Sequence, residues 1–348
     1  MSATAIVTGG SGWLGRRLVR ALRSGLEDVP ALADPGDRAV RCLVTGDADR
    51  AIVAQNDPRA ACVGGDLLDP ASLAPLFEGA AGATVFHCAG VIHPRRVREF
   101  FALNVEGTRA VLDAARAAGV RRFVHVSSNS PIGCNPDPEH RFDEDAPYHP
   151  YMGYGRSKKQ AEDLVAAAHG QGLECVVVRP PWFYGPGQPP RQTEFFRMIK
   201  DGRMPIVGGG GNRRSMAYTD NIVQGLLLCE RVAEAAGRTY WIADRRAYTM
   251  NEIVETVADV LEQDFGMTVK RGRLSLPGFV SEVALLADRL LQGAGLYQQK
   301  VHVLSEMNKN IACSIDRAQR ELGYDPKVEL REGMKRSVQA LLDEGAEI

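Results

Sequence analysis

Near its N-terminus the chain runs an apolar, partly β-branched stretch, Ala5-Ile6-Val7-Thr8, straight into Gly9-Gly10-Ser11-Gly12-Trp13-Leu14-Gly15. A helical pattern follows from Arg16 to Ser24. Strand, glycine turn, helix: this order commits the chain to a βα unit. Glycines let the backbone turn sharply and let another group approach it, and the unpaired N–H groups at a helix start face negative charge. Two spacings coexist. Gly10, Gly12 and Gly15 fit the general dinucleotide pattern, while Thr8-Gly9, Gly12 and Gly15 fit a Thr-Gly-x-x-Gly-x-x-Gly form. Glycines alone could be an ordinary loop; placed between such a strand and helix they point to a dinucleotide.

Three later segments read as short strands ending in small or polar residues: Val63-Gly64-Gly65-Asp66-Leu67-Leu68-Asp69, Thr84-Val85-Phe86-His87-Cys88-Ala89-Gly90 and Arg122-Phe123-Val124-His125-Val126-Ser127-Ser128. Asn104-Val105-Glu106-Gly107-Thr108 opens a helix between the last two. Strands alternating with helices through residue 180 predict right-handed βαβ units in an α/β, Rossmann-type, doubly wound parallel sheet.

Of the nine tyrosines, only Tyr154 has a lysine four residues later, Lys158. On a helix that spacing puts phenol and ammonium on one face, where the positive charge would bring the phenol closer to proton transfer at neutral pH. The spacing alone is weak, because solvated helix faces carry it often.

In this order, the Gly turn, Gly65-Asp66-Leu67, His87-Cys88-Ala89-Gly90, Asn104-Val105-Glu106-Gly107-Thr108, Ser128, Tyr154 with Lys158, and Arg179-Pro180, the chain resembles the extended short-chain dehydrogenase/reductase family. The match covers most of the chain. The resemblance implies an NAD(P)-dependent enzyme with Tyr154 as acid or base. Lys158 would hold the phenol's pKa down and reach ribose hydroxyls, Ser128 would hold the reacting oxygen, and Asn104 would support the lysine, often through water. Gly9, Gly12, Trp13, Leu14, Gly15, Thr45, Asp66, Leu67, Cys88, Ala89, Gly90 and Pro181 join Tyr154 and Lys158 as cofactor contacts, and Ser130, Trp182 and Arg214 as substrate contacts. His87 reads as a core residue. Bland readings stand beside these: Ser128 as a strand cap, Asn104 as a helix cap.

The second strand, Val40-Arg41-Cys42-Leu43-Val44, should end in the residue that chooses between NAD and NADP. Val44-Thr45-Gly46 offers no acid, and Arg41 and Arg50 are near in sequence, a slight lean to NADP. Residues 1–180 are expected to bind cofactor. By resemblance, 217–243 return to that domain, while 181–216 and 247–348 form a smaller C-terminal substrate lobe, with substrate in the cleft between them. The helices beginning near Arg98 and Tyr154 match those that form a homodimeric four-helix bundle in relatives.

Other function classes fall away on composition. Forty-two basic against forty-three acidic residues, without a basic cluster interleaved with aromatics, leave no nucleic-acid footprint. Seven scattered cysteines without C-x-x-C spacing read as reduced thiols, with no metal site, and imply a cytoplasmic location. The first strand begins at once, leaving no room for a cleaved signal peptide. No apolar run reaches the ~20 residues of a membrane span. Leu274 to Tyr297, broken by Glu282, Asp288 and Arg289, reads as an amphipathic helix packed over the substrate lobe, against membrane association.

The substrate is a small molecule, and local residues sort the reactions by resemblance. Dehydratases carry an acidic pair after the active serine or threonine; here Asn129-Ser130 follow Ser128. Nucleotide-sugar enzymes place asparagine where Trp182 stands, though Arg214 matches a diphosphate-binding arginine and Lys309 could substitute for a missing second one. Hydride transfer to or from a secondary alcohol or ketone of a largely apolar, sterol-like substrate is favoured over a nucleotide-sugar 4-epimerase, with a non-catalytic nucleotide sensor last.

Overall fold

The computed structural model describes residues 4–348. Strand β1 (Thr4–Thr8) alternates by side: Ala5 and Val7 enter one hydrophobic cluster, Ile6 the other. That period-2 division requires a sheet buried on both faces. Helix α1 (Trp13–Ser24) buries Leu18, Val19 and Leu22 on the first face. The chain then lays down β2 (Ala39–Val44), α2 (Asp47–Asn56), β3 (Ala61–Gly64), the single-turn α3 (Ala74–Phe77) and β4 (Thr84–His87).

After β4 a helix runs in three parts: α4 (Val97–Phe101), a π-helical turn (Ala102–Glu106) and α5 (Gly107–Ala117). Asn104 therefore sits inside a continuous helix rather than opening one. Next come β5 (Arg122–Val126), α6 (Met152–Ala168) and β6 (Glu174–Arg179), and the alternation of β1 repeats: Val176 and Val178 face one cluster, Cys175 and Val177 the other.

The chain leaves the sheet through β7 (Trp182–Tyr184), α7 (Pro190–Lys200), β8 (Pro205–Val207) and β9 (Arg213–Tyr218). It comes back through α8 (Thr219–Arg231) to β10 (Thr239–Trp241), which pairs parallel to β6. The sheet order is β10-β6-β5-β4-β1-β2-β3, all pairs parallel, so the strand order reverses beside β1. In such sheets the crevice for a ligand lies beyond the carboxyl ends of the strands at that reversal, here between Thr8 and His87.

The remainder, β11 (Ala247–Thr249), α9 (Met250–Asp259), β12 (Leu274–Leu276), α10 (Phe279–Gly293), α11 (Gln299–Glu306), α12 (Asp316–Leu322) and α13 (Leu330–Asp343), is mostly helical. A separate core of Phe196, Ile253, Val257, Met334 and Val338 supports it. Helix α12 is an exception, since Ala318 and Leu322 pack into the sheet's own core.

One helix inverts expectation. Helix α10 buries Ser281, Ala284, Asp288 and Gln292 while Phe279, Val283, Leu286 and Leu290 face outwards. Its polar face packs inwards because each buried group is paired there. Asp288 binds His302 Nδ1 at 2.7 Å and Gln292 Nε2 at 2.9 Å, and Gln292 Oε1 accepts the backbone N–H of Gly153. Among the described residues no helix is long and apolar enough to cross a membrane.

Candidate active site

The glycine turn is built to hold a group against bare backbone. Gly9 has φ of 72°, and a Cβ there would lie 2.7 Å from the nitrogen of Ala89. A Cβ on Gly15 would stand 1.9 Å from the carbonyl oxygen of Gly9, so the turn closes only without side chains. Gly12 is exposed, caps α1 without a side-chain acceptor, and leaves the first N–H groups of that helix open to an anion. A dinucleotide's pyrophosphate fits this cradle. Trp13 turns back instead, its indole N–H donating to Pro186 O at 2.9 Å and its ring against Phe183. Leu14 is core.

Cys88, Ala89 and Gly90 continue β4 along the same crevice, with Cys88 N bonded to Thr8 O at 3.1 Å. His87 is fully buried between the hydroxyls of Thr8 and Thr108, and burial pulls its pKa down to about 3. It is a neutral core residue. Asp66 and Leu67 follow β3, with Leu67 buried and the Asp66 carboxylate bonded to the N–H of Leu68.

At the end of β2 the structure supplies what the sequence seemed to lack. Asp49 reaches back across the turn and accepts hydrogen bonds from the N–H and the hydroxyl of Thr45, with Ser11 of the glycine turn near enough to lower its pKa. These bonds hold its carboxyl below its usual range. The two nearby arginines are turned elsewhere: Arg41 donates to the carbonyls of Leu76 and Glu78, Arg50 to that of Cys62.

Helix α6 carries Tyr154 and Lys158. Its first residue, Met152, has φ of 55°, the sole non-glycine with positive φ among the described residues, so the backbone is strained where the helix begins. Ser128, beyond the end of β5, lies close enough to the Tyr154 hydroxyl to lower its pKa. Ser128 lies 3.4 Å from the Ser130 hydroxyl and accepts the N–H of Ser130. Lys158 is buried and donates to Val126 O at 2.8 Å, with His125 Nε2 at 3.4 Å. The lysine is not among the groups that shift the phenol. Burial pushes Tyr154 up to about 12, opposed by nearby Ser128, and pulls Lys158 down to about 8.

Asn104 does not touch the lysine directly. Its amide joins Val91 O and the Ser157 hydroxyl, each at 3.0 Å, and accepts the N–H of Val91, so it ties the loop after β4 to the residue preceding Lys158. Below the lysine, Glu162 forms a buried bidentate pair with Arg179, joined by Tyr148 and Ser127. This knot fixes α6 to β5 and β6.

The remaining candidates follow β6. Pro181 is buried, and Trp182 meets Phe195 edge to face at 5.6 Å. Arg214 is buried and donates to Glu306 O, while Lys309 pairs with Glu282. Two charged residues near Tyr154 were not read from the sequence, Glu306 on α11 and Arg191 on α7. Glu306 raises the phenol's pKa and Arg191 lowers it. No local pattern marks either one.

A glycine cradle at the reversal of a parallel sheet, with serine, tyrosine and lysine converging beside it, defines a nucleotide-dependent oxidoreductase of the extended short-chain dehydrogenase/reductase class. The comparisons agree: the NAD dependent epimerase/dehydratase family model matches residues 5–243, and the chain belongs to that family. It is 51% identical to an uncharacterized protein of Sinorhizobium fredii, over 96% of this chain and 93% of that one. It is 30% identical, over 94% of this chain and 93% of the other, to 4-hydroxy-2-methyl-3-oxo-4-farnesyl-3,4-dihydroquinoline-1-oxide ketoreductase of Stigmatella aurantiaca. Among solved structures, dTDP-glucose 4,6-dehydratase of Streptomyces venezuelae with NAD bound superposes with a TM-score of 0.73 at 28% identity, covering 98% of this chain and 97% of that one.

Proposed function

We propose that this enzyme moves hydride between NAD and a secondary alcohol or ketone on a largely apolar substrate. The nicotinamide supplies the hydride. Tyr154 donates the proton to the carbonyl oxygen in reduction, or removes it in oxidation. Ser128, which lies near the phenol, holds the same oxygen as charge develops on it. Lys158 donates to Val126 O and takes the role of binding the cofactor's ribose hydroxyls, with Glu162 and Asn104 through Ser157 fixing its place.

The observation that carries the apolar substrate is the aromatic wall of Trp182 and Phe195 beside a basic residue already engaged, Lys309 with Glu282. Arg214 gives one N–H to Glu306 O and keeps its buried Nε–H without a partner. A sugar diphosphate would have to break the Lys309 pair to gain a second basic anchor. The similarity to a ketoreductase named for a farnesylated substrate supports the same reading.

Asp49 favours NAD over NADP. A carboxylate beside Thr45 and Ser11 can accept a free ribose 2′-hydroxyl and repels a 2′-phosphate, and Arg41 and Arg50 are committed to carbonyls. The test is a panel of apolar ketones, sterols and nucleotide sugars followed by cofactor absorbance and product analysis. Net NADH oxidation with an apolar ketone is expected; interconversion of two sugar nucleotides without net cofactor turnover would overturn the reading.

A further inference from the structure

Of the nine large apolar side chains that stand exposed among the described residues, seven fall between Leu274 and Val303. Phe279, Val283, Leu286 and Leu290, 65%, 61%, 60% and 68% exposed, step by four, three and four along α10, which puts them in one stripe. Leu296 and Val303 extend it. This face is not a core turned out by accident. The opposite face pairs Ser281 with Leu304 O, Asp288 with His302 and Gln292 with Gly153 N, so rolling the helix over would orphan three buried polar groups.

We propose that the outer face of α10 docks the enzyme on an anionic membrane surface. Charge decides between this occupant and a second copy of the chain. Arg289, Lys300 and Arg95 are exposed around the C-terminal end of the stripe, where Arg95 O accepts the N–H of Tyr297, and none is paired with a carboxylate among the described residues. The acids beside the stripe already have partners, Glu282 with Lys309 and Asp288 with His302. A second copy packed stripe to stripe offers these cations no free acid, whereas anionic headgroups do. An interfacial helix with an apolar stripe and basic flanks has the required form.

The placement also serves the site. Gln292 on the inner face bonds Gly153, the residue before Tyr154, and Tyr151 bonds Ser305 of α11. The stripe is thus the outer surface of the hairpin packed on the start of α6, beside Tyr154, and an apolar substrate would enter from the bilayer. The docking claim is independent of the proposed substrate, because its readout needs no turnover.

The experiment is flotation of the full chain with phosphatidylcholine vesicles, with and without phosphatidylglycerol, for wild type and Leu286→Glu/Leu290→Glu. The substituted side chains are exposed, and thermal unfolding of the variant checks that it folds. The wild type is expected to float with anionic vesicles, less so in high salt, and the variant to lose at least about tenfold in partitioning. Absence of flotation, or equal flotation of the variant, would overturn the proposal. So would a wild-type dimer in sedimentation velocity that the variant dissolves while neither binds vesicles, which would assign the stripe to a second copy.

Discussion

The ammonium of Lys158 donates to the carbonyl oxygen of Val126 at 2.8 Å, one strand end away from the phenol it was expected to serve. Burial pulls the lysine down to about 8, below the usual lysine value. Between that value and about 10.5 the unfolded chain binds the extra proton, so this residue's contribution to stability rises with pH across the window. Lys158→Met removes the titration. The stability of wild type minus that of Lys158→Met, from urea unfolding at pH 7 to 10.5, should rise by on the order of 2–3 kcal/mol. A flat difference would show that the lysine is not desolvated.

Glu162 and Arg179 form a buried pair with side chains each 2% exposed. Removing one partner strands the other charge in a buried site. Glu162→Ala should therefore cost about 3–5 kcal/mol of unfolding free energy. Loss within 1 kcal/mol, roughly the worth of an exposed pair, would contradict the burial.

Gly15→Ala puts a methyl group 1.9 Å from Gly9 O by ideal geometry. The turn must open, so NADH binding followed by fluorescence should weaken by at least about tenfold, the loss of one charge-assisted bond to the phosphate. Unchanged affinity would remove the glycine turn from the cofactor site.

Asp49→Asn leaves the bonds from Thr45 feasible but removes the charge. The preference for NADH over NADPH, measured as the ratio of kcat/KM, should fall by about tenfold or more, the worth of one charge-assisted bond to the ribose. An unaltered ratio would mean that the carboxylate does not read the ribose.

Local chemistry was legible in the sequence, and orientation across the chain was not. The glycine turn and the spacing of Tyr154 and Lys158 are short-range features, readable because helix and strand periods dictate which side chains share a face. Asp49 escaped because an acid after the strand was sought at Val44-Thr45-Gly46, whereas the carboxylate returns across a turn. Glu306 and Arg191 come from distant elements, and nothing local announces that they meet near Tyr154. Helix α10 shows the limit of periodicity. Leu274 to Tyr297 read as an amphipathic helix packed over the substrate lobe, but the pairing of Asp288 with His302, from a separate helix, decided which face turned inwards.

The central claim is proton transfer by Tyr154 coupled to net hydride transfer. Its most direct test is the rate of NADH oxidation by wild type and Tyr154→Phe with the best apolar ketone of the panel, alongside the NADH dissociation constant of each. The account predicts a fall in kcat of about 10²–10⁴-fold with cofactor affinity little changed. A Tyr154→Phe enzyme that turns over at the wild-type rate would contradict it.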